Sequence, residues 1–445
     1  MPPKNTLPWN EDAAHATVDT LRVIVRDGPA VGATRTADGE VLSVGSAEGN
    51  DLVIDDPTVS RFHVELRHTT QGVRVRDTGS TNGVFAGGIR LTDAVVPFGT
   101  VLRLGRTNLE ILEGEPREID VHAADSLGAL HGRSEGMRRL MSQIERAART
   151  EASVLIVGES GTGKELIARS LHELGPRSPK PFVVVDCGAL APNLVASELF
   201  GHERGSFTGA ERQHVGAFER AHGGTLFLDE IGELPPELQP MLLGALERRR
   251  FRRVGGSKDI EVDVRVVAAT HRDLRAEVND GHFRLDLYYR LAVVPLRVPS
   301  LRERLEDLEL LVTHFLGELG RHTPIDDLFP PSVLASLRTH RWPGNVRELR
   351  NVVEATVAMG EPMVEHLSQP PPGHEVSGDA IAMGPLYPLS YKDARAALLH
   401  EFEHRYIKHW LACTQGNVAH AAREAKMDRS HLFHLLRRHD LRAES

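Results

Sequence analysis

The sequence predicts a multidomain chain. A β-sandwich comes first, then an α/β domain built on a phosphate-binding loop, then an all-α helix-turn-helix. Three observations carry this prediction. Between about residues 18 and 115, short stretches alternate apolar and polar residues and are broken by turn residues. Near the middle, an apolar β-branched run leads into Gly158-Glu159-Ser160-Gly161-Thr162-Gly163-Lys164-Glu165, and a helical period follows. At the C-terminal end, two short helical patterns flank a break, and the second is rich in Arg and His.

Bulk properties set the outer bounds. A chain of 445 residues has room for two to four domains. The net charge of −9 argues against a protein that coats nucleic acid, but it allows a local basic module. Cys187 and Cys413 are too few for a disulfide framework, so a reducing, cytoplasmic setting is expected. No apolar run reaches the ~20 residues that span a bilayer. The N-terminus lacks the charged-then-apolar pattern of a signal peptide. His400 and His404 stand four apart on a helical pattern, but no Cys or acidic cluster completes a metal site there.

Residues 1–17 read as a disordered lead-in. The strands of the first module include Leu21-Arg22-Val23-Ile24-Val25, Val73-Arg74-Val75-Arg76, Val101-Leu102-Arg103-Leu104 and Leu109-Glu110-Ile111-Leu112. Turns fall at Asp38-Gly39, Gly49-Asn50-Asp51 and Gly87-Gly88. No long helical period appears, which fits a sandwich over 18–115.

Three of its loops carry a resemblance: Val44-Gly45-Ser46, Val59-Ser60-Arg61-Phe62-His63 and Asp77-Thr78-Gly79-Ser80-Thr81-Asn82-Gly83. In this order and spacing they resemble a forkhead-associated (FHA) domain, a family that reads phosphothreonine in partner proteins. The resemblance implies that Ser60, Arg61, Thr81 and Asn82 line a phosphopeptide site and that His63 braces the loop from within. Hydroxyl, amide and guanidinium donors suit a dianionic phosphate. Ser46 stands where the family usually has Arg, so weaker phosphate binding is expected. The alternative is a sandwich kept only as an interaction surface.

The central module runs from about 127 to 366. Val154-Leu155-Ile156-Val157 reads as a buried strand and Leu166-Ile167-Ala168-Arg169-Ser170-Leu171-His172 as a helix. Strand, Gly-rich loop and helix together form a phosphate cradle, with backbone N–H groups turned inward. Lys164 supplies charge to the β- and γ-phosphates of ATP. Glu165 stands where Ser or Thr usually binds magnesium. Gly224-Thr225-Leu226-Phe227-Leu228-Asp229-Glu230 is a buried strand ending in two acids. Asp229 is placed to hold Mg²⁺, and Glu230 to polarise the attacking water. Val264 to His271 is another buried strand with polar residues at its end, where Thr270 is able to sense the γ-phosphate.

These segments together resemble the AAA+ domain of bacterial sigma-54-dependent transcriptional activators, also called enhancer-binding proteins. Glu165 is normal for that family. The segment Gly205-Ser206-Phe207-Thr208-Gly209-Ala210 is similar to the family's sigma-54-contacting loop, with Ser206 in place of Ala. As a lever it is small and Gly-flanked, and it carries one aromatic residue. The resemblance implies a helical subdomain from about Leu305 and a nucleotide contact from Arg347. It also implies that Arg284 and Arg290 act in trans as arginine fingers, which requires a ring, expected to be a hexamer. The alternative for the two arginines is surface ion pairing, for example with Asp286.

Asp186 lies at the end of the expected strand Pro181-Phe182-Val183-Val184-Val185-Asp186-Cys187. The family counterpart usually ends in Asn, which parks the catalytic Glu until the target engages. Asp186 is therefore expected to face Glu230 as a switch residue. Two facing carboxylates either share a proton or leave Glu230 without its partner. The alternative is that Asp186 points to a nearby Lys, Arg or magnesium-bound water and leaves Glu230 alone.

Residues 367–389 are Pro- and Gly-rich and read as a flexible linker. From 390 to 445, Leu399, Phe402, Tyr406 and Trp410 form one helical face, followed by two short helices around Met427-Asp428. This end resembles the Fis-type DNA-binding domain that closes most sigma-54 activators. It holds ten Lys/Arg against seven Asp/Glu, a local basic excess in an acidic chain. Arg429, Ser430, His431, His434, Arg437 and Arg438 are the candidate DNA contacts. The alternative is a helical dimerisation tail.

The whole then reads as an ATP-hydrolysing transcription activator. Its expected partners are enhancer DNA, the sigma-54 RNA polymerase holoenzyme, a phosphothreonine protein and further copies of itself. The N-terminal module is expected to replace the more usual receiver domain and to couple activity to a threonine kinase signal, so an aspartyl-phosphate input is not expected. The rival reading is a phosphothreonine-dependent DNA-binding adaptor without ATP turnover, and intact Lys164, Asp229 and Glu230 speak against it.

Overall fold

The computed structural model describes residues 14–363, except 38, 40, 190, 191, 208, 209, 322 and 323. Beyond 363 it describes only Glu403, Tyr406, Ile407, Thr414, Val418, Met427, Leu432, Leu436 and Arg438. The chain divides into two units, Met1–His366 and Leu367–Ser445.

The first unit opens with two sheets packed face to face. One runs, in spatial order, Asp93–Val96, Gly72–Asp77, Val64–Thr69, Val41–Gly45, Leu52–Val53. The other runs Thr34–Thr36, Leu21–Asp27, Thr107–Glu113, Val101–Leu104, Val84–Ala86, Ile89–Leu91. Alternation decides which side chains face inward: Leu21, Val23 and Val25 are buried while Arg22 and Arg26 are exposed. The shared core includes Leu42, Val64, Leu66, Val73, Val75, Leu102 and Leu109.

Residues 14–17 depart from the expected disordered lead-in. They belong to a strand, Ala14–Val18, paired antiparallel with Arg117–Val121. The partner lies about a hundred residues away, and among the side chains described only Val18 and Val121 of the pair are buried core residues. Local periodicity is therefore too weak to announce it.

The second layer system is a five-stranded parallel sheet in the order Phe182–Asp186, Thr225–Asp229, Arg265–Thr270, Val154–Val157, Val294–Arg297. Strands covered on both faces read as continuous apolar runs, and Arg265–Thr270 is buried at every position. The helices around it are α1 (Glu135–Ala148), α2 (Lys164–Glu173), α3 (Pro192–Phe200), α4 (Ala217–Arg220), α5 (Gln239–Arg248), α6 (Leu274–Asn279) and α7 (Leu285–Leu291). Arg265 is buried and donates to the carbonyls of Ala147, Ala148 and Leu171. One guanidinium thus satisfies the open C-terminal ends of α1 and α2 and holds both against the central strand.

A helical subdomain follows, with α8 (Leu308–Glu318), α9 (Pro331–Thr339) and α10 (Asn345–Met359). Its hinge to the sheet is a buried clasp. The Asp307 carboxylate accepts from the backbone N–H groups of Arg133 and Ser134 and from the Ser134 hydroxyl, each at 2.7 Å. Ser134 in turn caps α1 by accepting from the Met137 N–H. The clasp therefore fixes the angle between the helical subdomain and the phosphate-binding loop.

Asp307→Ala would leave the part-buried Arg133 N–H, the buried Ser134 N–H and the Ser134 hydroxyl without an acceptor. It should cost about 2–4 kcal/mol, each buried donor costing about 1–3 kcal/mol when orphaned. A denaturant titration of the full chain should show the lower midpoint.

Candidate functional site

The phosphate-binding loop leaves the Val154–Val157 strand and enters α2 at Lys164. Gly161 has φ +78°, and a Cβ there would meet the Gly344 carbonyl at 2.2 Å. Only glycine lets the turn before α10 lie this close to the loop. The Lys164 side chain is buried, and its ammonium donates to the Gly158 carbonyl at 3.0 Å and to Glu230 Oε1 at 3.1 Å. Thr162 folds back onto the Glu159 carbonyl at 2.8 Å.

Asp229 and Glu230 end the Thr225–Asp229 strand. Burial pushes the Asp229 carboxyl up, and the neighbouring Glu230 and Asp186 carboxylates push the same way. Glu230 sits in the left-handed region, φ 49°, which turns its side chain back toward α2. Its Oε2 accepts from the His271 N–H at 3.1 Å and lies 2.7 Å from His271 Nδ1. Burial would raise the Glu230 carboxyl, but His271 and Lys164 outweigh it and hold the group below the usual range. Thr270 is fully buried; its hydroxyl accepts from the Arg272 N–H and its carbonyl from the Gly158 N–H.

Asp186 departs from its expected role. Its Oδ1 accepts from the N–H groups of Gly188 and Ala189 at 2.8 and 3.1 Å, closing a local turn. Glu230 is bonded to Lys164 and His271, not to Asp186. Spacing alone could place Asp186 at the right strand end, but it could not show that its own backbone would claim the carboxylate.

The helical subdomain closes over the loop. The Arg347 N–H donates to the Gly161 carbonyl, and its guanidinium donates to Ser160 Oγ at 3.1 Å. Arg302 pairs with Glu159 through both carboxylate oxygens, and Asn345 donates to Glu159 and to the Ser160 carbonyl. Buried Arg304 donates to the Thr162 carbonyl. Sequence marks His271 as a polar residue ending its strand, without a bond to Glu230, and gives no role to Arg302, Arg304 or the Asn345 side chain. Asn345 alone left a signal, because a Pro-Gly-Asn turn before a helix favours a left-handed residue, and its φ is 53°. Glu165 points away from the loop, to Arg169 at 3.1 Å.

Arg284 pairs with Asp286 at 3.0 and 2.7 Å, the surface alternative weighed for it. Arg290 donates to the Leu246 carbonyl at 3.0 Å. In the 205–210 segment, Thr208 and Gly209 lie outside the described residues. Gly205 and Ala210 close the loop through a 2.8 Å backbone bond, and Ser206 packs against Gly255. Phe207 is 36 % exposed and meets the His202 ring edge-on.

In the sandwich, Ser60, Thr81 and Asn82 come together. Ser60 Oγ accepts from the Thr81 N–H at 3.0 Å, and Asn82 donates to the Thr58 carbonyl at 2.8 Å. His63 is fully buried, with Nδ1 accepting from the Ser60 N–H and Nε2 facing the Gly83 carbonyl. That pairing needs a neutral ring, and burial holds the imidazole below its ordinary pKa. Ser46 donates its N–H to the Ser60 carbonyl. The Arg61 guanidinium turns to the Val278 carbonyl at 3.4 Å.

In the second unit, Arg429, Ser430, His431, His434 and Arg437 lie outside the described residues, as does the linker 367–389. Arg438 is exposed and 3.4 Å from Glu403. Among the described residues, no helix is long and apolar enough to cross a membrane.

Comparison with known proteins places these features in context. Residues 130–297 match the model of the Sigma-54 interaction domain, and 302–371 match the AAA+ ATPase lid domain. Residues 24–115 match a model described as the inner membrane component of T3SS, cytoplasmic domain. The transcriptional regulatory protein GlrR of Escherichia coli is 45 % identical over 316 residues, 71 % of this chain and 69 % of that protein. The transcriptional regulatory protein ZraR of the same organism is 47 % identical over 310 residues, 69 % of this chain and 68 % of its own. The crystal structure of NtrX from Brucella abortus in complex with ATP is 36 % identical with a TM-score of 0.50, covering 71 % of this chain and 70 % of NtrX.

The His63 arrangement carries a pH signature. The folded ring has a lower pKa than the unfolded one, so between the two values the unfolded chain binds more protons. Stability is full above the usual histidine value of about 6.5 and drains as pH falls, by up to about 1.4 kcal/mol per unit. Hydrogen exchange of the Val64–Thr69 strand, followed from pH 7.5 to 5.5, should show a steeper loss of protection in wild type than in His63→Gln.

Proposed function

The chain belongs to the family of sigma-54-dependent transcriptional regulators and carries their AAA+ ATPase; on that premise we propose an enhancer-binding activator gated by phosphothreonine. The C-terminal module holds DNA. The central domain assembles into a hexameric ring and spends ATP hydrolysis on remodelling the sigma-54 RNA polymerase holoenzyme through residues 205–210. The sandwich reads a phosphothreonine partner.

One observation supports turnover above all: Lys164, Asp229, Glu230 and Thr270 converge at neighbouring ends of one sheet. MgATP is the substrate. Lys164 exchanges the Gly158 carbonyl and Glu230 for the β- and γ-phosphates. Asp229 fits the magnesium that accompanies ATP, because a dication relieves the crowding that raises its carboxyl. Glu230, still held on Oε2 by His271, is left with Oε1 to orient and polarise a water. Arg347, Arg302 and Asn345 tie the lid to the loop, so the lid feels what the loop binds. Arg284 and Arg290 leave their own-chain partners for the γ-phosphate of a neighbouring subunit.

The phosphothreonine reading draws on the Ser60, Thr81 and Asn82 cluster braced by His63. The DNA reading draws on the local basic excess and the helix-turn-helix pattern.

Glu230→Gln should keep ATP binding and lower hydrolysis by about 10²–10⁴-fold, the usual worth of a positioned base. Thr208→Ala should leave hydrolysis largely intact and abolish transcription from sigma-54 promoters in a reconstituted assay. Full activation by Thr208→Ala would remove residues 205–210 from the coupling step.

Arg290→Ala should lose hydrolysis while nucleotide still binds. Mixing it with Lys164→Ala subunits should restore part of the rate, since each supplies what the other lacks. No recovery at any ratio would rule out action in trans.

A further inference from the structure

The loops assigned to phosphothreonine reading are also the loops by which the sandwich holds the ATPase domain. Phe62 is 1 % exposed, and the apolar core it joins is that of the ATPase domain. Its ring meets Tyr288 of α7 edge-on at 5.2 Å, and the Arg275 guanidinium lies 5.4 Å over it. Asn279, the last residue of α6, donates its amide to the carbonyls of Phe62 at 2.6 Å and Thr78 at 2.9 Å. Its Oδ1 accepts from the Phe62 N–H at 3.4 Å. A side-chain amide is thereby paired to the loop backbone as an extended peptide would be. The Arg61 guanidinium, expected on phosphate, is on the Val278 carbonyl. The Tyr289 hydroxyl donates to the Glu48 carbonyl, two residues after Ser46 in the first of the three loops.

The rest of the contact is ionic. Arg76 pairs with Asp273 at 2.9 Å, and Glu65 lies between Arg297 at 3.6 Å and Arg275 at 4.0 Å. Arg67 is 3.7 Å from Glu303. Surface ion pairs add little net stability, so one aromatic anchor and one amide latch carry the contact. Such an interface suits a contact that is made and broken.

We propose that these loops are one surface with two mutually exclusive occupants, the α6–α7 segment of this chain and a phosphothreonine peptide. A peptide laid across Ser60, Arg61, Thr81 and Asn82 needs the Arg61 guanidinium and the backbone at Phe62 and Thr78. Asn279 and Val278 hold those groups in the docked state. Binding of the peptide therefore frees Tyr288 and Tyr289, which directly precede Arg290 on α7. This inference rests on the phosphothreonine reading given above, and it adds that docking and reading compete.

The test uses the full chain with Cys413→Ser throughout. Cys187 stays in place; burial pushes its thiol up to about 12 and keeps it out of exchange. The probe is a degenerate mixture of phosphothreonine peptides, with the same mixture unphosphorylated as control. Asn279→Ala should bind the phosphorylated mixture at least about tenfold more tightly than wild type, because the binding-competent fraction rises. Gly79→Cys with Ala276→Cys provides a staple, since a Cβ at Gly79 lies 3.5 Å from the Ala276 Cβ. Gly79 has φ +72°, so the reduced form of the same variant serves as the control for strain. Oxidation should abolish binding and reduction should restore it. Equal affinity in wild type, Asn279→Ala and the oxidised staple would overturn the competition while leaving the phosphothreonine reading standing. No preference for the phosphorylated mixture in any form would overturn both.

Discussion

The ATPase centre depends on one contact, the ammonium of Lys164 against the carboxylate of Glu230. The two residues lie 66 positions apart and follow strands that are not neighbours. They meet because Arg265–Thr270 lies between their strands and pairs in parallel with both, Val154 opposite Val267 and Thr225 opposite Arg265. Parallel register brings the carboxyl ends of the strands level, which is where α/β sheets bind ligands. The left-handed backbone at Glu230 costs roughly 1–2 kcal/mol for a residue with a Cβ. Lys164 and His271 on the two oxygens are what hold it there, and the strained turn delivers the side chain to the phosphate side.

What the sequence made legible follows from how local each signal is. The phosphate-binding loop, the acid pair and the apolar strands are contiguous stretches, so composition and period announce them. The sandwich likewise showed through alternation at Leu21 to Val25 and Val73 to Arg76. Partners chosen in three dimensions did not show. His271 ends a strand that sequence placed correctly, yet its bond to Glu230 is set by sheet order. Asp186 sits at the expected strand end, but Gly188 and Ala189 lie two and three residues away and reach its carboxylate first. The Ala14–Val18 strand was missed because its partner is distant and few of its residues are buried.

Phe62 shows the same limit at the level of domains. In sequence it is one aromatic residue between Arg61 and His63 in a polar loop. A sandwich standing alone would leave a large ring on its surface, next to the groups proposed to read phosphate. The structure buries it against Tyr288 and Leu274 to Leu291 of the other domain's core. The residue therefore belongs to the sandwich by chain and to the ATPase domain by packing. The proposed reading and the docking share a loop because a loop suited to anions exposes backbone groups, and exposed backbone groups seek partners.

Charge arranges the rest of the catalytic end. Asp186, Asp229 and Glu230 crowd three carboxylates around the ends of two adjacent strands. Glu230 escapes the crowding through Lys164 and His271, whereas Asp229 has one backbone donor, the Glu230 N–H at 3.0 Å. The same neighbourhood thus pushes two consecutive carboxyls in opposite directions, one up and one down. A group held low is already in the form that polarises water, and a group held high gains most from a cation. Lys164 cannot serve Glu230 and a phosphate with the same geometry, so arrival of MgATP redistributes positive charge. With MgATP bound, Lys164 would turn to the phosphates, Asp229 would hold the dication, and His271 would keep Glu230 aimed. The division of labour between adjacent residues is set by which of them the protein has already paired.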